Sequence, residues 1–167
     1  MSIEILENEQ KVYDRLNELG IDYKVIEHDP LYTAEDLKSI MDRARGVHCK
    51  NLFLRNAKGN KYYMIVLEHD KDVDLKNVKD LIGSTRLSFG SAERLLKVLN
   101  LTPGAVNPFS LINDKDKLVE LYMDEEIFRG EPLNFHPNVN NKMVTIEEKD
   151  LLKYLESVDH IPTKIKF

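Results

Sequence analysis

The stretch KNLFLRNAKGNKYYMIVLEHD, residues 50–70, holds two apolar runs around a short polar segment that contains Gly59. Runs of Leu, Phe, Tyr, Ile and Val bounded by such a turn predict a β-hairpin, the clearest in the chain. A sheet therefore stands at the centre of the fold. Within the first strand side chains alternate between faces, so Lys50, Leu52 and Leu54 share one side and Cys49, Asn51, Phe53 and Arg55 the other. If the leucines face the core, Lys50 ends the buried face, and its ammonium either snorkels to solvent or holds an anion.

Working outward, Val12, Leu16 and Leu19 have helical spacing, with Asn8 as the expected cap and Gly20 as the stop. DYKVIEH predicts a short strand. Thr33, three residues before Asp36, opens a second helix as an acidic variant of the capping box. DLKNVKDLIG and SAERLLKVLN read as helices, KLVELYMD and NKMVTI as strands. Thr145 and Glu148 form the expected capping box of a C-terminal helix. No repeat, low-complexity segment or linker interrupts this alternation, which predicts one α/β domain with a mixed sheet over residues 1–167.

Composition narrows the class. Hydrophobic residues make up 42% and charged residues 32%, a globular balance. No apolar run approaches the roughly 20 residues of a membrane span, and MSIEILENEQK lacks the basic start and apolar core of a secretion signal. A cytoplasmic protein is expected. One cysteine permits neither an internal disulfide nor a cysteine-based zinc site. The net charge of −5 disfavours wrapping along a duplex, but residues 43–61 hold six Lys or Arg and no Asp or Glu. Setting those six charges aside leaves −11 on the rest. A basic segment on an acidic protein suits a partner presenting a few phosphates.

Directly before the hairpin, RGVHCK sets His48, Cys49 and Lys50 side by side. Neighbours in a strand point to opposite faces, so adjacency argues against a His48–Cys49 or Cys49–Lys50 partnership, and Cys49 is weak as a nucleophile. His48 is expected in a loop near the basic segment. The five histidines, at 28, 48, 69, 136 and 160, show no HxH or HExxH spacing, so no metal is indicated. There is also no phosphate-binding glycine loop and no GxSxG. Two stretches remain. PGAVNPF, with Gly104 four residues before Pro108, can expose backbone N–H groups in a fixed curve that holds a carbonyl or developing oxyanion. NFHPNVNN sets His136 before a proline, which biases it to an extended backbone, and then Asn138, Asn140 and Asn141.

In this order the signals resemble the YbaK/prolyl-tRNA editing family, aminoacyl-tRNA deacylases related to the inserted editing domain of bacterial prolyl-tRNA synthetases. The resemblance runs over nearly the whole chain. It rests on EHDPLYTAEDL, the lysine of KNLFLR, the Gly-xxx-Pro loop and FHPNVNNKMVTI. It implies a mixed, curved sheet flanked by helices. It further implies hydrolysis of the ester of alanyl-tRNA(Pro) by a water that backbone groups and the substrate's ribose hydroxyl orient, with no cofactor. The His-Pro-x-x-Asn pattern is similar to the alanine branch; a cysteinyl-tRNA deacylase of the same fold and a non-catalytic aminoacyl-tRNA or amino-acid binding module are the alternatives. Carried over residue by residue, the resemblance places Lys50, Gly104 and His136 at the reacting centre. Thr33, Asn51, Ala105, Pro108 and Asn140 become substrate contacts, and Arg43, Arg45 and His48 candidate tRNA contacts. The implied partners are the acceptor end of a mischarged proline tRNA and, as a candidate, prolyl-tRNA synthetase.

Overall fold

The computed structural model describes residues 3–30 and 34–167. Along the chain run α1 (Ile3–Glu18), β1 (Tyr23–Glu27), α2 (Ala34–Arg43), β2 (Val47–Arg55), β3 (Tyr62–Glu68), α3 (Leu75–Ile82), β4 (Ser88–Phe89) and α4 (Ala92–Leu99). A 3-10 turn (Pro108–Asn113) leads to β5 (Val119–Asp124), β6 (Leu133–Phe135), β7 (Lys142–Ile146), α5 (Glu148–Ser157) and β8 (Thr163–Ile165). The expected hairpin forms, with Cys49 opposite Glu68 and Arg55 opposite Tyr62. Asn56 closes its turn by accepting the N–H groups of Asn60 and Lys61 at 3.1 and 3.2 Å.

The strands form a mixed sheet in the order β1-β7-β6-β2-β3-β5-β8, with β4 also on β2. β2 pairs parallel with β6, and β3 with β5, while β2–β3 and β6–β7 are antiparallel. Both faces of the hairpin are covered. Phe53, Met64 and Val66 join the main core with Phe109, Phe135, Leu151 and Tyr154. Leu54, Ile65 and Leu67 pack with Val78 and Leu87 in a smaller cluster on the other side. That double burial explains the unbroken apolar run YYMIVL in β3. The alternation expected in β2 holds, but the main core lies on the Phe53 face, so Lys50 ends the face of the smaller cluster.

Three local expectations are corrected. β2 begins at Val47, which puts Lys50 inside the strand rather than at its opening. Asn8 is not a cap but a buried residue within α1, donating to Asn100 O at 2.8 Å. Thr145 does not cap α5; its hydroxyl donates to Asn134 Oδ1 at 2.6 Å, and Glu147 occupies the cap without a side-chain bond. Thr33 lies outside the described residues.

The C-terminal segment is tied down by a buried pair. Asp114 accepts the Leu118 and Val119 N–H groups at 3.0 and 2.8 Å and faces His160 Nε2 at 2.9 Å. Burial raises the Asp114 pKa, but the His160 bond and the two N–H groups outweigh it and hold the carboxyl below its ordinary value. A depressed carboxyl contributes stability above the unfolded value of about 3.9 and loses it as pH falls through the folded one. Asp114→Asn should therefore cost about 3 kcal/mol at pH 7 and flatten the acid limb of stability against pH. Urea midpoints at pH 7 and pH 3 in wild type and variant measure both.

Candidate active site

The site forms where two parallel strands part. β6 holds β2 only at Val47 and His48, opposite Leu133 and Asn134. β4 takes up the same edge of β2 at Leu54 and Arg55. Carrying the first register two residues further sets Lys50 level with His136, beyond the end of the ladder. Lys50 is half-buried, and its side chain makes no hydrogen bond or ion pair with a described residue. Lys71 and Lys142, by contrast, sit 2.7 Å from Asp124 and 2.6 Å from Glu9. An uncompensated, partly desolvated ammonium at a gap in a sheet is suited to an anion or a polarised oxygen.

Asn51, the next residue, points to the other face. Its Nδ2 donates to Val106 O at 3.1 Å and thereby ties β2 to the glycine loop. In that loop Ala105 N–H closes a turn onto Thr102 O at 3.2 Å. Gly104 is exposed with φ +93, a backbone conformation that strains any residue with a Cβ. Pro108 is buried as the first residue of the 3-10 turn and Ala105 is buried beneath the loop, so both shape it from below rather than face a ligand with their side chains.

Asn107, which the sequence reading did not single out, holds the loop together with Asn138. Asn107, fully buried, caps the 3-10 turn through Ser110 N–H at 3.1 Å. Its Nδ2 donates to Ala105 O at 2.8 Å and to Asn138 Oδ1 at 2.9 Å. Asn138, at φ +62, donates in turn to Asn8 O at 3.0 Å. This buried amide chain welds α1, the glycine loop and the segment after His136 together. The Asn-Pro dipeptide before an apolar run was the available signal for Asn107; nothing local marks Asn8.

Opposite the loop, His136 Nδ1 stands 2.8 Å from Lys142 O. A carbonyl can only accept, so the proton is on Nδ1 and Nε2 keeps its lone pair. Burial, and secondarily the neighbouring His28, lower its pKa despite the Lys142 bond, which keeps the ring neutral at pH 7. The His28 ring lies 5.6 Å away; the His28 backbone N–H donates to Asn141 O at 2.9 Å, and the ring Nδ1 stands 2.7 Å from Asp29 O. His28 Nε2, Asn51 Oδ1 and Asn141 Oδ1 are buried without a hydrogen-bond partner among the described residues. Native proteins satisfy nearly all such atoms, and two of the three, on His28 and Asn141, belong to residues that line one cavity. Beside them opens a cavity of about 730 Å³ lined by His28, Asp29, Arg43 and Asn141, among others. Asn140 meets the glycine loop directly: its Nδ2 is 4.0 Å from where a Gly104 Cβ would stand.

The basic segment does not come together. Arg43 and Arg45 are exposed at the start of β2, while Lys58 and Lys61 surround the hairpin turn at its far end. Nine strand residues separate them, about 30 Å at roughly 3.3 Å per residue. His48 is corrected outright. It lies in β2 rather than in a loop, 3% exposed, with Nε2 on Ala44 O at 2.8 Å, so it presents no surface to an RNA. Cys49 packs against the main core, and burial, then Glu68, push its thiol up to about 12. A thiol so disfavoured as thiolate is a poor nucleophile. Cys49→Ser, and separately treatment with a chelator, should leave hydrolysis of an aminoacyl ester within about twofold of the untreated wild type; complete loss in a deacylation assay would restore a thiol or a metal.

These residues include a cation, a glycine turn, a neutral imidazole and amide oxygens, groups of the kinds that can polarise a carbonyl and orient a water. Comparison with known proteins points the same way. The sequence profile of the aminoacyl-tRNA editing domain matches residues 28–154. The chain is 42% identical to the prolyl-tRNA editing protein ProX of Acetoanaerobium sticklandii, over 91% of this chain and 93% of that one. It is 31% identical to the prolyl-tRNA synthetase associated domain-containing protein 1 of Mus musculus, covering 92% of each. In fold it is similar to a crystal structure of a proposed trans-editing enzyme for prolyl-tRNA synthetase, with a TM-score of 0.71 at 18% identity, covering 100% of this chain and 99% of that one.

Proposed function

The chain belongs to the aminoacyl-tRNA editing domain family, and from that premise we propose that it is a trans-editing deacylase that hydrolyses the ester of mischarged alanyl-tRNA(Pro). The observation that supports this reading is the parting of β2 and β6: the register carried past it sets Lys50, whose side chain has no partner among the described residues, level with His136. Lys50 would neutralise charge near the ester, and backbone N–H groups at Gly104 would polarise its carbonyl. His136, with Asn140 and Asn51 around it, would bound the space for the amino-acid side chain. Water, oriented by the backbone and by the ribose hydroxyl next to the ester, would be the nucleophile. No side chain would need to form a covalent bond.

The chemistry also explains why such an enzyme is needed. A synthetase site cannot strongly reject a smaller amino acid, since each missing methylene changes binding by only about 1–3 kcal/mol. A second, hydrolytic pocket too small for proline supplies the missing discrimination. In this reading residues 1–167 act as one editing unit in the cytoplasm on the acceptor end of a proline tRNA, with prolyl-tRNA synthetase as the natural supplier of substrate. Arg43 and Arg45 would be its phosphate contacts. The deciding experiment is deacylation of alanyl-, cysteinyl- and prolyl-tRNA of proline specificity. Rapid loss of alanine alone is expected. Preferential loss of cysteine would move the protein to the cysteinyl branch, and binding without hydrolysis would make it a regulatory module.

A further inference from the structure

Two consecutive residues of α1 grip the stretch that follows His136 at both of its ends. Asn8 O accepts Asn138 Nδ2 at 3.0 Å. Glu9, 3% exposed, accepts Lys142 Nζ at 2.6 Å and the Tyr13 hydroxyl at 2.5 Å, both on Oε2. Burial, and after it the bond to Glu9, raise the Tyr13 pKa, so the hydroxyl keeps its proton and donates. Lys142 opens β7 opposite Glu27 of β1, at an end of the ladder, where pairing frays first. It bears on the candidate site twice. Its carbonyl stands 2.8 Å from His136 Nδ1, and its ammonium is held by Glu9.

Stability alone does not account for this pair. Drawing a carboxylate and an ammonium out of water costs about as much as their attraction returns, so a buried pair adds little folding energy. What it does supply is register, because a charge taken out of water stays where its partner is. Here the register is that of Lys142 against α1. The Lys142 carbonyl in turn decides which nitrogen of His136 carries the proton. A drift of that carbonyl by about 1 Å would break the Nδ1 bond and leave the ring free to rotate and to exchange tautomers. We propose that Glu9 is a positioning residue: through Lys142 it fixes the carbonyl that holds the His136 ring in its Nδ1-protonated form. The effect on rate rests on the deacylase reading above; the effect on the ring does not.

Two variants cut the tether from either end. Glu9→Met keeps the volume in α1, and Lys142, its side chain 24% exposed, can turn its ammonium to water. Glu9→Gln/Lys142→Met keeps an amide oxygen for Tyr13 and removes only the arm. Glu9→Gln alone retains an acceptor for both partners, and Tyr13→Phe is the structural control. The first readout is the imidazole nitrogen spectrum of His136 at pH 7, assigned by its loss in His136→Ala. Wild type, Glu9→Gln and Tyr13→Phe should show one protonated and one bare nitrogen. The cut variants should show the averaged nitrogens of a ring that exchanges tautomers. The second readout is deacylation of alanyl-tRNA(Pro), where the cut variants should lose about tenfold or more in kcat/KM. Glu9→Gln should recover most of that rate, and Tyr13→Phe should match wild type. If one cut variant does not fold, the other decides. A folded cut variant with the wild-type spectrum overturns the inference whatever its rate, and a changed spectrum at an unchanged rate removes Glu9 from the reaction. If wild type hydrolyses no alanyl-tRNA, the deacylase reading fails, and the spectra alone then support or overturn the hold of Glu9 on the ring.

Discussion

Lys50→Ala should lose deacylation of alanyl-tRNA by at least about 100-fold, the scale on which removing one group that stabilises developing charge acts. The fold should survive. The ammonium is half-buried and pairs with no described residue, so its removal strands no buried partner and opens little volume. Circular dichroism and the melting temperature should match wild type within a few degrees. Lys50→Arg should recover only part of the rate, because a planar fork does not occupy the position of a compact ammonium. Near wild-type hydrolysis by a folded Lys50→Ala protein would remove Lys50 from the reacting centre.

His136→Ala should cut alanine hydrolysis by roughly 10- to 100-fold and also lower the ratio of alanyl- to prolyl-tRNA cleavage. The change removes a polar contact and enlarges the space that excludes the proline ring, and a clash rejects far more strongly than a missing contact. The pH profile separates this role from a merely structural one. Burial and the nearby His28 hold the His136 pKa below its ordinary value of about 6.5. Its neutral form therefore persists through pH 7 and is lost only as pH falls below that value. Wild type should show a matching acid limb in kcat/KM, and His136→Ala should not. If wild type cleaves prolyl-tRNA as readily as alanyl-tRNA, exclusion by size is wrong.

Most of the framework follows from local pattern. The two apolar runs around Gly59 allow only a hairpin, the spacing of Val12 and Leu16 only a helix, and Gly20 at φ +67 stops that helix as expected. The short strands escaped notice. β4, β6 and β8 have two or three residues each, too few for a period of two to stand out. Their pairing energy comes from strands distant in sequence. β6 is the costly omission, because its brief contact with β2 creates the gap at which we propose the site.

The sequence by itself determined the fold class, the family and the cast of residues: Lys50 in its strand, Gly104 ahead of Pro108, His136 ahead of its proline. Those depend on side-chain chemistry and on neighbours a few positions away. Only the tertiary structure decided where they stand. Neighbours in the chain can be strangers in space, so His48 is buried on Ala44 while the Lys50 side chain has no partner among the described residues. Of the six positive charges of residues 43–61, Arg43 and Arg45 precede a nine-residue strand, Lys50 lies within it, and Arg55, Lys58 and Lys61 stand at its far end, so they form no single patch. Residues 8, 107 and 138, far apart in sequence, become one chain of amides because a buried polar group must find its partner wherever packing brings one.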